Sequence, residues 1–246
     1  MTTHDDSARG VYQTDAFGGL STLPENHGHA AVVDYPWRFE IQTSAGKSEP
    51  RRLAGQGDGV ADREIDHADA MFSMEADDRF NELVSLLEDV LVKGAWLICL
   101  ADDRFQEVVR DAIRDSAFTL RRNWAWTPES MGMGTYGRVD HYPIPVATLG
   151  DTDRYVTDRP TLFRVPGGRQ TDYPTGKPVS LYRQILRPPV IENDERLIEP
   201  FCGSGPGAAV ASERGLKYWG ADKNPDAVEQ ARTRLHSPRL TDLADF

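Results

Sequence analysis

The sequence predicts an α/β fold: a doubly wound, mostly parallel sheet in one domain. Three observations predict it. Leu197-Ile198-Glu199-Pro200-Phe201-Cys202-Gly203-Ser204-Gly205 reads as a buried strand running into a glycine turn, with a helix-like run behind it. Tyr218-Trp219-Gly220-Ala221-Asp222 then reads as a second strand ending in an acid, the half-unit with which such sheets hold a nucleoside. Ala95 to Leu100 is apolar throughout, as a strand covered by helices on both faces must be.

The remaining elements follow in chain order. Val11 to Thr14 and Ala31 to Val33 are strands, the second running into Asp34. Residues 43–70 are polar, rich in Gly, Arg and Asp, and lack periodicity; a connection of that length is a functional loop or a disordered one. Phe80, Leu83, Leu86, Leu87, Val90 and Leu91 repeat at helical spacing, with Gly94 expected to stop the helix. Phe105 to Ile113 repeats the pattern with Val108, Val109 and Ile113 inward. Phe118–Trp126 and Tyr142–Leu149 form an antiparallel pair, giving the sheet an antiparallel edge strand. Residues 151–172 read as a linker, and Pro178 suits the first turn of a helix over Val179–Leu186. The division is a flexible N-terminus over 1–10, one domain over 11–235, and a tail over 236–246.

Composition narrows the class. A chain of 246 residues can bury an ample core without disulfides or metals. Cys99 and Cys202 are the only cysteines, one in an apolar strand and one in the glycine turn, so a reducing cytoplasm is expected. The six histidines are scattered, and no Cys/His cluster has metal-ligand spacing, so no metal is expected. No run is apolar and long enough to span a membrane, and residues 1–10 do not resemble a signal peptide. The net charge of −11 is unusual for a protein that binds nucleic acid. An Asp-rich, Lys-poor chain is a habit of salt adaptation, although high-GC coding accounts equally for the arginine bias. In strong salt the counterion gain from phosphate contacts shrinks, so fewer basic residues are needed.

The chemistry concentrates at the strand ends. Gly203 and Gly205 allow a sharp turn and close approach of backbone to a ligand. The turn lacks the third glycine of the dinucleotide fingerprint, which argues against NAD. Asp222 is placed to accept from ribose hydroxyls. Asp34-Tyr35-Pro36-Trp37 supplies a carboxylate, a backbone carbonyl and an aromatic face. Amino groups of adenine and cytosine are poor nucleophiles because their lone pair is delocalised into the ring. Acceptors that draw on the amino hydrogens, with a ring to hold a flipped base, answer that difficulty. Thr175 and Lys177 stand at a helix mouth, where a carboxylate or hydroxyl can be held. Asp15 is either a strand-end contact for an adenine amino group or a helix N-cap.

Together these segments resemble the S-adenosylmethionine-dependent DNA amino-methyltransferases in the circular order called the β class. In that family a strand with an acid comes first, then an Asp-Pro-Pro-Tyr/Trp motif, then a His-Pro-Thr-x-Lys-Pro helix start, and last the Phe-x-Gly-x-Gly cofactor motif. Here the order is Asp15, Asp34 to Trp37, Tyr173 to Pro178, and Phe201 to Gly205, and the resemblance spans about Val11 to Leu235. It implies the class I, Rossmann-like methyltransferase fold. It also implies that Asp15, Thr175, Lys177, Glu199, Phe201, Gly203, Gly205 and Asp222 hold S-adenosylmethionine. Asp34, Tyr35, Pro36 and Trp37 then form the catalytic motif, acting on the amino group of a flipped base in duplex DNA. An aspartate at the first motif position favours adenine N6 over cytosine N4.

The departures are Tyr35 for the first proline, Tyr173 for histidine, Glu199 for aspartate, and Pro206 for the threonine that often follows the glycines. None removes an essential chemical group. The Trp37 motif also resembles that of adenine-N6 methyltransferases, some of which act on RNA. An RNA enzyme and an inactive, cofactor-binding partner subunit therefore remain alternatives, and a homodimer is an open arrangement. About twenty residues separate Leu149 from Tyr173, too few for a separate target-recognition domain. Recognition is expected from the 43–70 loop, the 130–140 loop, a second subunit or another protein. Arg38, Lys47, Arg51, Arg52, Arg121, Arg122 and Arg138 supply local positive charge.

Overall fold

The structure is a computed structural model that describes residues 9–36, 79–103, 105–131, 137–167 and 176–237. Trp37, Arg38, Thr175 and Tyr173 lie outside the described residues, as do residues 1–8, the 43–70 loop with its basic residues, residues 132–136 of the 130–140 loop and the chain beyond 237.

In chain order the elements are β1 (Gly10–Gln13), α1 (Ala16–Leu20), β2 (Gly28–Val33), α2 (Phe80–Val90), β3 (Leu91–Cys99), α3 (Phe105–Arg114), β4 (Phe118–Thr127), β5 (Tyr142–Leu149), β6 (Leu162–Arg164), α4 (Val179–Ile185), β7 (Arg196–Glu199), α5 (Pro206–Arg214), β8 (Lys217–Asp222) and α6 (Pro225–Leu235). The strands form one sheet in the order β1-β8-β7-β2-β3-β5-β4-β6. β5 runs against β3 and β4, and every other pairing is parallel. The antiparallel strand is therefore present, but it lies inside the sheet rather than at its edge, with β4 and β6 outside it.

The central strands are buried on both faces. Ala30 to Val33, Leu97 to Cys99, and Leu197 and Ile198 are 0–1 % exposed, which is why these runs do not alternate. The helices begin and end where local chemistry dictates. Asn224 accepts from the N–H groups of Asp226 and Ala227 at the start of α6, with Pro225 in the first turn. α5 opens on Pro206 and closes on Gly215 in the left-handed conformation.

Three expectations need correction. Gly94 does not end α2. That helix closes at Val90 and passes directly into β3, with the Leu91 N–H donating to Leu87. Gly94, at φ +81°, lies within β3 where the register against β2 slips, an irregularity that brings it against the Asp151 carbonyl. The 151–172 segment is not only a linker, because Leu162–Arg164 adds a parallel strand beside β4. Pro178 is the N-cap of α4 rather than a residue of its first turn.

The strand order reverses between β7 and β2. From β7 the chain crosses outward to β8, whereas from β2 it crosses the other way to β3. Open α/β sheets bind ligands in the crevice outside the carboxyl ends of the strands at such a point. Glu199, the glycine turn and Asp34 all stand there.

Candidate active site

The glycine turn is built from backbone hydrogen bonds. The Cys202 N–H donates to the Ala221 carbonyl at 2.9 Å, and the Gly205 N–H to the Cys202 carbonyl at 2.8 Å. Gly203 and Gly205 adopt left-handed φ values of 49° and 78°. They serve different ends. The Gly203 N–H donates to Asp222 Oδ2 at 2.9 Å, tying the turn to the end of β8. A Cβ on Gly205 would lie 2.6 Å from Cα and Cβ of Ala231 in α6. Close approach at Gly205 is thus, in part, approach to a helix.

Asp222 Oδ1 accepts from the Asn224 N–H at 2.9 Å. Burial raises its carboxyl above the ordinary range, against the backbone N–H bonds that favour the charge. Glu199 is fully buried, and its Oε2 accepts from the Tyr218 hydroxyl at 2.5 Å. Burial pushes its carboxyl up to about 8, although the Tyr218 and Tyr182 hydroxyls favour the ionised form. Its Oε1 has no hydrogen-bond partner among the described residues.

Across the crevice, Asp34 follows the last residue of β2. Lys177, just before α4, pairs with Asp34 Oδ2 at 2.6 Å, the two side chains being 12 % and 21 % exposed. Two motifs 143 residues apart thus meet as one ion pair. The Lys177 side chain is turned to the Asp34 carboxylate, which sequence reasoning did not anticipate.

Tyr35 is 1 % exposed. Its ring stacks on Phe105 at 5.3 Å and meets Phe80 and Phe201 edge-on at 5.3 and 5.1 Å. The residue that replaces the family's first proline thereby anchors its loop in the core and joins it to Phe201 of the glycine turn. Pro36 follows it, half-buried.

Asp15 caps α1, accepting from the Gly18 N–H at 3.1 Å, and its Oδ1 pairs with Lys223 at 3.0 Å. Partial burial opposes its charge, but the Gly18 N–H and the Lys223 ammonium outweigh it and lower the carboxyl. Of the two sequence readings of Asp15, the capping geometry is the one on view. The pair still brings Asp15 beside the end of β8, next to Asp222.

Sequence reasoning missed Tyr182 and Tyr218, both fully buried around Glu199. Tyrosines in apolar runs signal a core, and nothing local marks which acid they face. Arg121 and Arg138 prove to be braces: Arg121 donates to Thr148 and to the Gly150 carbonyl, and Arg138 to the Met131 carbonyl. Among the described residues no group of His, Cys, Asp and Glu is arranged to hold a metal ion, and both cysteines are free. No helix among them is long and apolar enough to cross a membrane.

No family model matches the chain, and no curated protein matches it in sequence. Solved structures do match in fold. TTHA0409 from Thermus thermophilus, assigned as a DNA modification methylase, superposes with a TM-score of 0.66 at 15 % identity, covering 93 % of this chain and 95 % of that one. The fold is that of the class I DNA methyltransferases. M1.HpyAVI, solved with S-adenosylmethionine, gives a TM-score of 0.63 at 14 % identity over 93 % of this chain and all of that one. The cytosine-N4-specific PvuII DNA methyltransferase gives 0.64 at 12 % identity over 96 % and 90 %.

Proposed function

We propose that this chain transfers a methyl group from S-adenosylmethionine to the exocyclic amino group of a base in duplex DNA, adenine N6 in preference to cytosine N4. The observation that carries the reading is the Asp34–Lys177 pair, set across the crevice from the glycine turn. A carboxylate there is the group an amino-methyltransferase needs, and the fold likeness to DNA methyltransferases supports the same class.

The residues fit the cofactor. Glu199 offers a buried oxygen without a partner beneath the turn, an acceptor suited to an ammonium group. Asp222 stands at the end of β8 with acceptor capacity beyond its backbone bonds, suited to ribose hydroxyls. Phe201 and Gly203 shape the cleft, and Asp15, Thr175 and Lys177 complete the proposed set. When bound, S-adenosylmethionine supplies a methyl group already activated by its sulfonium.

The protein's part is orientation and electrostatics. Lys177 fixes Asp34 through Oδ2, leaving Oδ1 to accept an amino hydrogen of the base. That bond draws density onto the nitrogen and holds its lone pair in line for transfer. The Tyr35 ring, locked among Phe80, Phe105 and Phe201, keeps the loop at a fixed height, so its carbonyl can serve as the second acceptor. Trp37 is the proposed stacking face for the base.

The test is transfer of labelled methyl to unmethylated duplex DNA, from low to multimolar salt, with nucleoside analysis of the product. N6-methyladenine is expected, and Asp34→Ala should abolish transfer while leaving cofactor affinity nearly intact. Full transfer by that variant removes Asp34 from its role. No transfer to DNA at any salt, with cofactor bound, defeats the DNA reading and turns the test to RNA transcripts.

A further inference from the structure

Behind the glycine turn lies a polar cluster that the transfer itself does not use. A carboxyl buried without a cation is costly, and an apolar residue of similar size would fill the space with less penalty. Here the chain makes room for the acid: a Cβ on Gly207, in the first turn of α5, would collide with Glu199 Oε2. Tyr218 donates to it from β8, and the Tyr182 hydroxyl approaches the same carboxyl from α4. The other titratable groups that face it are Asp34 at the end of β2, Asp222 of β8, Cys202 of the turn and Arg234 of α6. Arg234 is the one cation of that set, and it makes no ion pair with Glu199. Among the described residues the cluster therefore holds an acid, one hydroxyl that donates to it, a second hydroxyl close by, an unsatisfied oxygen and no ion-paired cation.

We infer that Tyr182 and Tyr218 are positioning residues that hold Glu199 for a cationic group of the incoming cofactor, so that binding expels a proton from Glu199. The inference rests on the S-adenosylmethionine reading. The step balances simply: the neutral carboxyl gives its proton to solvent, and the carboxylate pairs with an ammonium that keeps its own three. The tyrosine donors match this change, because a hydroxyl bonded to carboxyl oxygen favours the ionised form. Tyr182 also lies in the helix that Lys177 precedes, so the same helix steadies the cofactor's acid and the base's acid together.

The test is calorimetric titration of the whole chain with S-adenosylhomocysteine, which does not turn over, in buffers of different ionisation enthalpy. Near pH 7 about one proton should be released per site, falling towards none above pH 9. Glu199→Gln should abolish the release, and should remove a carboxylic-acid C=O stretch from the infrared spectrum of the unliganded protein. Tyr218→Phe should weaken binding roughly tenfold or more and move the pH midpoint upward, with Tyr182→Phe acting in the same direction. A merely structural tyrosine would lower the melting temperature and leave proton release and midpoint unmoved. Binding with no proton release at pH 7 overturns this inference alone. Absence of binding at every pH overturns the cofactor reading and this inference with it.

Discussion

Gly205→Ala isolates what the second glycine of the turn is for. Two penalties add. An alanine held at φ +78° costs about 1–2 kcal/mol for its left-handed backbone. Its Cβ would also lie 2.6 Å from Cα and Cβ of Ala231, and neither of those atoms can swing aside as a side-chain end would. α6 must shift, and overpacking of that kind costs about 1–3 kcal/mol. The expected loss is about 2–5 kcal/mol, or roughly 5–15 °C in melting temperature for a domain of this size. Urea denaturation followed by circular dichroism measures it. Gly203→Ala, at φ +49°, should also cost the backbone part. Ala231→Gly placed in the Gly205→Ala background should recover about 1 kcal/mol more than it does alone, as the coupling of touching residues requires. A Gly205→Ala cost below about 1 kcal/mol would refute the packing argument.

Stability should also report on Glu199. The folded group keeps its proton to about pH 8, whereas an ordinary glutamate loses it near 4.5, so this contribution is complete below about pH 4.5 and is lost as pH rises towards 8. Unfolding free energy should fall by up to about 1.4 kcal/mol per pH unit across that window, and Glu199→Gln should flatten the slope; an unchanged slope removes Glu199 as its source. Lys177→Met should lower kcat as well as cofactor affinity, and kcat the more, because the lysine holds the Asp34 carboxylate; a loss of affinity alone, with kcat unchanged, would remove it from Asp34. Arg159→Ala removes donors to the carbonyls of Gln184, Arg187 and Pro188, where α4 ends. It should cost about 1–3 kcal/mol, with amide exchange in α4 accelerating ahead of the sheet, and uniform acceleration would contradict a local clamp.

The parts legible in the sequence were those with a local signature. The buried strands read as apolar runs, and the turn over Phe201–Gly205 needed left-handed glycines that few other residues could supply. Both were found at the expected places. Gly94 misled because a glycine after a helical run looks like a stop, while its cause, the crossing of Asp151, lies far along the chain. Leu162–Arg164 was missed because three residues carry no periodicity; the strand exists only because β4 offers a free edge. Within the site, the acids were found as strand ends, but their partners were not. Lys177 was assigned to the helix mouth, yet its four-carbon stem carries the charge across to Asp34. Tyr182 and Tyr218 face Glu199 through sheet register and helix docking, which no short window of sequence encodes.

The pairing of β1 with β8 has a consequence for how the protein is made. Gly10 lies against Trp219, and Arg232 of α6 reaches back to the Val11 carbonyl at 3.0 Å. On the ribosome the strand that begins the sheet therefore waits for a neighbour translated some 200 residues later, about 10–40 s at ordinary elongation speeds. The glycine turn and Asp222 arrive in the same late stretch. A nascent chain arrested before β8 can already display the Asp34 loop, β3 and the β4–β5 hairpin, yet still lacks Asp222 at the far side of the crevice. The vectorial order of synthesis thus keeps the crevice incomplete until β8 joins the sheet.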